Sequence, residues 1–146
     1  MATIGTLWAS FPSGANGAIQ EVATEHAPKA IGPYSQAVND GRYLFVSGQL
    51  AIDPTTGKLT GDNAQEQTVQ VLKNVEAILH AEGLTFDNVV KAEVYLKDME
   101  DFQKMNSVYA QKFSGPVKPA RQAMQVAKLP LDALVEISCI ARLNNN

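Results

Sequence analysis

At 146 residues, with 45% apolar and 18% charged side chains, the chain has the size of one domain and is too apolar for a disordered one. Fifteen acidic against twelve basic residues leave a net charge of −3, which argues against nucleic acid as a partner. A single cysteine, Cys139, rules out an internal disulfide and points to a reducing, cytoplasmic setting, and no apolar run approaches the roughly 18 residues of a membrane span.

Residues 1–19 are uncharged and turn-rich around Ser10–Gly17. They lack the basic region of a signal peptide and the arginines of a transit peptide. They read as an irregular extension, docked if at all through Leu7, Trp8 and Phe11, ahead of a single domain over 20–146. A short strand is expected at 20–23. Gly32-Pro33 then punctuates an extended run over 30–38. Asn39-Asp40-Gly41 marks a hairpin turn into a strand over Tyr43–Gly48, and Asp53–Gly57 is a loop.

Asp62 or Asn63 caps the clearest helix. Its inner stripe is Ala64, Thr68, Val71, Leu72, Val75, Ile78 and Leu79, with Gly83 at the C′ position. Glu66, Gln67, Gln70, Lys73, Asn74 and Glu76 fall on the opposite face. Val89–Leu96 alternates as a half-buried strand, Val90, Ala92, Val94 and Leu96 on one side and Lys91, Glu93 and Tyr95 on the other. Asp98 or Asp101 opens a second helix striped by Phe102, Met105, Tyr109 and Phe113, and Ser114-Gly115-Pro116 ends it. Strands over Ala120–Ala127 and Ala133–Leu143, separated by a turn at Leu129-Pro130, complete the order β-β-β-α-β-α-β-β. Two amphipathic helices against a mixed sheet make an α+β two-layer sandwich. The low charged fraction hints that part of its surface is covered by another copy.

The reactive inventory is small. His26 and His80 read as isolated surface or boundary residues without metal-ligand spacing. Cys139 shares a strand face with Val135, Ile137 and Ala141, where a thiol behaves as a small hydrophobe. No phosphate-binding or dinucleotide glycine motif and no serine-nucleophile elbow is present. What remains is Arg121, alone in an otherwise uncharged strand, and Glu136, interrupting Leu134–Ile137. An arginine fork suits bidentate capture of a carboxylate. Pattern alone leaves two readings open: the two residues pair with each other or snorkel to the surface, or they form a site.

These residues belong to a wider pattern. Ile31-Gly32-Pro33-Tyr34-Ser35-Gln36-Ala37, Val46-Ser47-Gly48-Gln49, Asp53-Pro54 with Gly57, Asn74, Val89-Val90-Lys91, Asp101-Phe102 with Asn106 and Tyr109, Pro119-Ala120-Arg121 and Glu136-Ile137 occur in that order. Together they resemble the Rid family of reactive-intermediate deaminases, also called YjgF-like or endoribonuclease L-PSP proteins. The resemblance runs from about residue 20 to 143 and says nothing of residues 1–19. It implies a chorismate-mutase-like α+β sandwich assembled as a homotrimer, with clefts between subunits that hold a small carboxylate-bearing imine. It implies that Arg121 grips the substrate carboxylate and that Glu136 positions or activates water. Tyr34, Gly48 and Asn106 would line the cleft, and Ala123 would contribute its backbone N–H. Many members have a hydroxyl residue and then cysteine after the arginine. Gln122 and Ala123 stand there in this chain, which excludes a thiol-dependent role.

The activity implied is hydrolysis of 2-iminopropanoate and 2-iminobutanoate to 2-oxo acids and ammonia, with no metal or organic cofactor. An iminium carbon is already electrophilic, so orientation, charge placement and modest proton transfer suffice for water attack. Two other functions stay open. A non-catalytic module would use the same cleft to bind a small carboxylate. An L-PSP-type endoribonuclease or translation inhibitor would call for histidine or lysine acid–base groups and a basic groove, of which the sequence supplies little.

Overall fold

The structure, a computed structural model, describes residues 17–145. The readings of residues 1–16, including Leu7, Trp8 and Phe11, lie outside the described residues. Eight regular elements follow in the predicted order: β1 (Gln20–Val22), β2 (Ala37–Asn39), β3 (Tyr43–Gln49), α1 (Ala64–Ala81), β4 (Val89–Leu96), α2 (Phe102–Lys112), β5 (Ala120–Gln125) and β6 (Val135–Arg142). They make one six-stranded sheet in the order β1-β2-β3-β6-β4-β5. Every neighbouring pair is antiparallel except β4 and β5, which the α2 crossover makes parallel.

Both helices lie side by side on one face of this sheet. Leu44, Val46, Ala92, Val94, Ile137, Cys139 and Ala141 of the strands bury there against Val71, Leu72, Val75, Ile78, Leu79 and Met105 of the helices. This is the expected α+β two-layer sandwich, of the chorismate-mutase-like kind. Cys139 is buried, and burial pushes its thiol up to about 12, so it stays protonated as the small hydrophobe expected.

The hairpin turn is built by side chains. Asn39 Oδ1 accepts from the N–H of Gly41 at 2.7 Å, and Asp40 Oδ1 from those of Arg42 and Tyr43 at 2.9 and 2.7 Å. The α1 cap is Asn63, not Asp62: its Oδ1 accepts from the Glu66 N–H at 2.9 Å, while Glu66 Oε2 reaches back to the Asp62 N–H at 2.7 Å. At the other end the chain turns through Gly83 at φ +69°, a conformation that only glycine adopts without strain, and Leu84 N–H closes on Leu79 O at 2.9 Å.

Several expectations are corrected. The extended run over 30–38 contributes a strand only at Ala37–Asn39. The chain before it is gathered around the buried Gln36, whose amide donates to Thr24 O, Ala27 O and Pro28 O and accepts from the Thr24 N–H. Gln67 and Asn74, placed on the solvent face of α1, are buried. Neighbouring loops cross that side of the helix. Asn74 Nδ2 donates to Leu50 O and Ile52 O at 3.0 and 2.9 Å, and Gln67 bridges Gly61 O and the Leu134 N–H.

In β4 the pairing slips between Val89 and Lys91, so Val89 turns inward and Val90 is exposed. A bulge reverses side-chain parity in this way. Asp98 caps a short 3₁₀ turn over Met99–Asp101, and Asp101 occupies the α2 cap position without a side-chain bond. The last two strands stop short of the predicted ends, at Gln125 and Arg142, and the turn between them becomes a 3₁₀ turn at Pro130–Asp132.

Candidate functional site

β5 is an edge strand, exposed along its length except at Ala123. Its parallel register sets Arg121 beside Ala92 and Ala123 beside Val94, on the helix-bearing face. Arg121 there meets α2. Its Nη1 donates to Asn106 Oδ1 at 2.6 Å, and its guanidinium carbon lies 4.6 Å from the centre of the Tyr109 ring and 5.5 Å from that of Phe102. Phe102, Asn106 and Tyr109 present one face of the helix, since residues three and four apart are neighbours there. Among the described residues no carboxylate lies within ion-pair distance of Arg121. On this exposed edge strand Arg121 carries no burial cost.

Glu136 is elsewhere. It pairs with Tyr95, which pairs in turn with Met124, in a row on the helix-free face. Arg121, Ala92 and Cys139 form a row on the opposite face. The two residues therefore do not form an ion pair within one chain, and the pairing reading is corrected.

The Glu136 carboxylate has no hydrogen-bond partner among the described residues and sits against the backbone of Gly48. A Cβ at position 48 would overlap its Oε1 and come within 2.9 Å of its Cδ. Half-burial there raises the carboxyl above its ordinary value of 4.5 by desolvation. Tyr34 is exposed, with its ring folded over Gly32, in a loop tied to β3 by Ser47: Ser47 Oγ donates to Ser35 O at 2.6 Å and Ser47 N–H to Gln36 O at 3.0 Å.

The predicted residues thus fall into two groups. Arg121, Asn106 and Ala123 stand on one face of the sheet, Glu136 and Gly48 on the other, with Tyr34 carried beside the second group. The helix-free face also holds a polar chain in which the Tyr95 hydroxyl donates to Glu93 Oε2 at 2.7 Å and Lys91 pairs with Glu93 at 3.2 Å. That hydroxyl, with Lys91, holds the Glu93 carboxyl below its ordinary value. Exposed Phe45 and Met124 flank the chain.

Sequence reasoning placed Phe102 and Tyr109 in the core stripe and missed their contact with the arginine; their spacing around Asn106 was the available signal. It also treated His26 and His80 as isolated. Both line one groove of about 330 Å³ with Thr24, Lys73 and Glu76, on the outer side of α1.

An edge-strand arginine over a helix and a glutamate against a glycine, unpartnered among the described residues, stand on opposite faces of one α+β domain. The family model described as Endoribonuclease L-PSP matches residues 24–143. A RutC family protein of Pyrococcus horikoshii is 54% identical over 120 residues, covering 82% of this chain and 94% of its own. The mouse protein named 2-iminobutanoate/2-iminopropanoate deaminase is 48% identical over 120 residues, covering 82% of this chain and 88% of its own. The solved structure of E. coli TdcF with bound serine superposes with a TM-score of 0.81 at 40% identity, over 86% of this chain and 99% of that one. The chain belongs to the Rid family, also known as the YjgF or L-PSP family.

Proposed function

We propose that this protein hydrolyses small 2-imino acids, 2-iminopropanoate and 2-iminobutanoate, to 2-oxo acids and ammonia, in a cleft completed between two copies of the chain. The observation that carries the reading is the separation of Arg121 and Glu136. Among the described residues each is left without an ionic partner, on opposite faces of one sheet, so a single copy offers a cation at its edge strand and a carboxylate on its open face. Two copies set edge to face supply both to one ligand. The 48% identity to the mouse imine deaminase supports the chemistry, and the serine bound by E. coli TdcF supports a small carboxylate-bearing ligand.

In this cleft Arg121 takes the carboxylate of the imine in a bidentate grip, its plane fixed by Asn106. Ala123, two residues along the strand, offers a backbone N–H to the same carboxylate. Glu136 accepts a proton from water as the water oxygen bonds to the iminium carbon. Glu136 returns that proton to the nitrogen of the carbinolamine so formed; the C–N bond then breaks as the hydroxyl loses its own proton to Glu136 and becomes the C=O of the oxo acid, and the departing ammonia takes up this proton as ammonium. The iminium ion and water thereby give oxo acid and ammonium, with no change of oxidation state and no metal or organic cofactor. Tyr34 and Gly48 wall the cleft on the glutamate side. Three copies close the ring, since a heterologous edge-to-face contact forms closed rings when its rotation permits.

The test generates the imine with a threonine dehydratase and lets semicarbazide compete for it. Added protein should divert the imine to 2-oxobutanoate and lower semicarbazone formation. An unchanged yield with folded protein present would overturn the assignment and leave a non-catalytic carboxylate-binding module.

A further inference from the structure

The Arg121 side chain rests on more than its hydrogen bond. Tyr109, under the guanidinium, is only 7% exposed. It stacks on Phe113 with ring centres 4.1 Å apart and planes at 23°, and Phe113 meets Phe86 edge-on at 4.9 Å. The ring is thus backed by the core and cannot retreat from the arginine. Phe102, one helical turn before Asn106, gives the same cation a second aromatic surface. Asn106 occupies one of the five guanidinium donors and leaves the rest free.

The Tyr109 hydroxyl is buried and has no hydrogen-bond partner among the described residues. A tyrosine at such a site normally satisfies its hydroxyl, so the ring and not the oxygen accounts for the contact with Arg121.

We infer that Phe102 and Tyr109 are positioning residues for substrate binding: their ring faces form a cradle on α2 that holds the Arg121 fork in the orientation a substrate carboxylate needs. The inference rests on Arg121 being the carboxylate clamp. A free arginine at an exposed edge samples many rotamers, and each must be abandoned when a ligand binds. The cradle removes that freedom in advance. It also takes water from one face of the cation, which strengthens the in-plane bond to a carboxylate. Neither ring touches the carbon that water attacks, so their removal acts on binding more than on turnover.

The experiment titrates 2-oxobutanoate by calorimetry into Phe102→Leu, Tyr109→Leu, Tyr109→Phe and Arg121→Ala, and measures KM and kcat for the imine alongside. Phe102→Leu and Tyr109→Leu should each raise Kd about 5- to 30-fold, the range of one cation–π contact. KM should rise in parallel, and kcat should fall much less. Tyr109→Phe keeps the ring and should recover most of what Tyr109→Leu loses, a rescue that a merely structural hydroxyl would not give. If Tyr109→Leu does not fold, Phe102→Leu, at a partly buried position on the rim of the core, decides. Unchanged affinity in the leucine variants, with binding lost in Arg121→Ala, would overturn the cradle and leave the clamp standing. Equal losses in Tyr109→Phe and Tyr109→Leu would overturn it as well. Retained binding in Arg121→Ala would instead overturn the clamp itself.

Discussion

An exposed arginine is served by water, whereas a half-buried carboxylate needs hydrogen bonds; Arg121 has water but no anion, and Glu136 has no hydrogen-bond partner among the described residues. If they act together, their substitutions separate. Arg121→Lys keeps the charge and loses the planar fork. It should lower kcat/KM by roughly 30-fold to several thousand-fold, the cost of a lost desolvated charge pair. Glu136→Gln keeps the shape, so 2-oxobutanoate should still bind by calorimetry while turnover falls about 10²–10⁴-fold.

The pH profile follows from the same site. Desolvation raises the Glu136 carboxyl above 4.5, and a general base must be ionised to work. The acid limb of kcat/KM should therefore lie above the ordinary carboxylate range, rising with pH, and should vanish from the residual activity of Glu136→Gln. Stability runs the other way. A carboxyl raised in the folded state contributes stability below its unfolded value and loses it as pH climbs through the folded one. Near-neutral melting temperatures of Glu136→Gln should then equal or exceed those of the unsubstituted chain. A clear fall in melting temperature would show that the carboxylate has a structural partner.

At the scale of elements, periodicity reveals what faces a sheet and hides what crosses a helix. The apolar stripe of α1 is legible because Val71, Leu72, Val75, Ile78 and Leu79 repeat with the helical turn. Asn74 is not, because the strands and loops that cover it come from residues 50–52, more than twenty positions upstream. Its amide satisfies two carbonyls, Leu50 O and Ile52 O. Asn74→Ala should therefore cost about 2–4 kcal/mol in urea unfolding, more than a surface substitution, because two partly buried acceptors lose their donor. A cost below about 0.5 kcal/mol would place Asn74 back on a solvated face.

The bulge between Val89 and Lys91 has the same lesson. Alternation along β4 is plain in the sequence, but the one residue that breaks it is set by the partner strand. The facing of Arg121 and Glu136 was hidden for a related reason. Parity within a strand can be read from its residues, whereas the relation between strands needs the register that puts Arg121 beside Ala92 and Glu136 beside Tyr95.

At the scale of the whole molecule, the sheet keeps one face clear of both helices. Phe45 and Met124 stand exposed on that helix-free face, with the Lys91–Glu93–Tyr95 chain between them. Sedimentation equilibrium at micromolar concentration should return three chains, and a monomer mass would contradict the shared cleft. Residues 1–19 precede β1 in the chain and hold none of the motif residues named above. Their deletion should leave deamination within about threefold of the full chain, and a complete loss from a trimeric deletion would make the segment part of the cleft.

The shared cleft itself is tested by mixing variants. Arg121→Ala lacks the cation and Glu136→Gln lacks the base, so each alone keeps only a small residual rate. After subunit exchange at equal amounts, a cleft built from two copies places an intact arginine opposite an intact glutamate at about one site in four by random assortment. Imine hydrolysis should return to about one quarter of the unsubstituted rate. If exchange is verified by mass and the mixture stays as slow as its parents, both residues serve one chain, and the two-copy site is wrong.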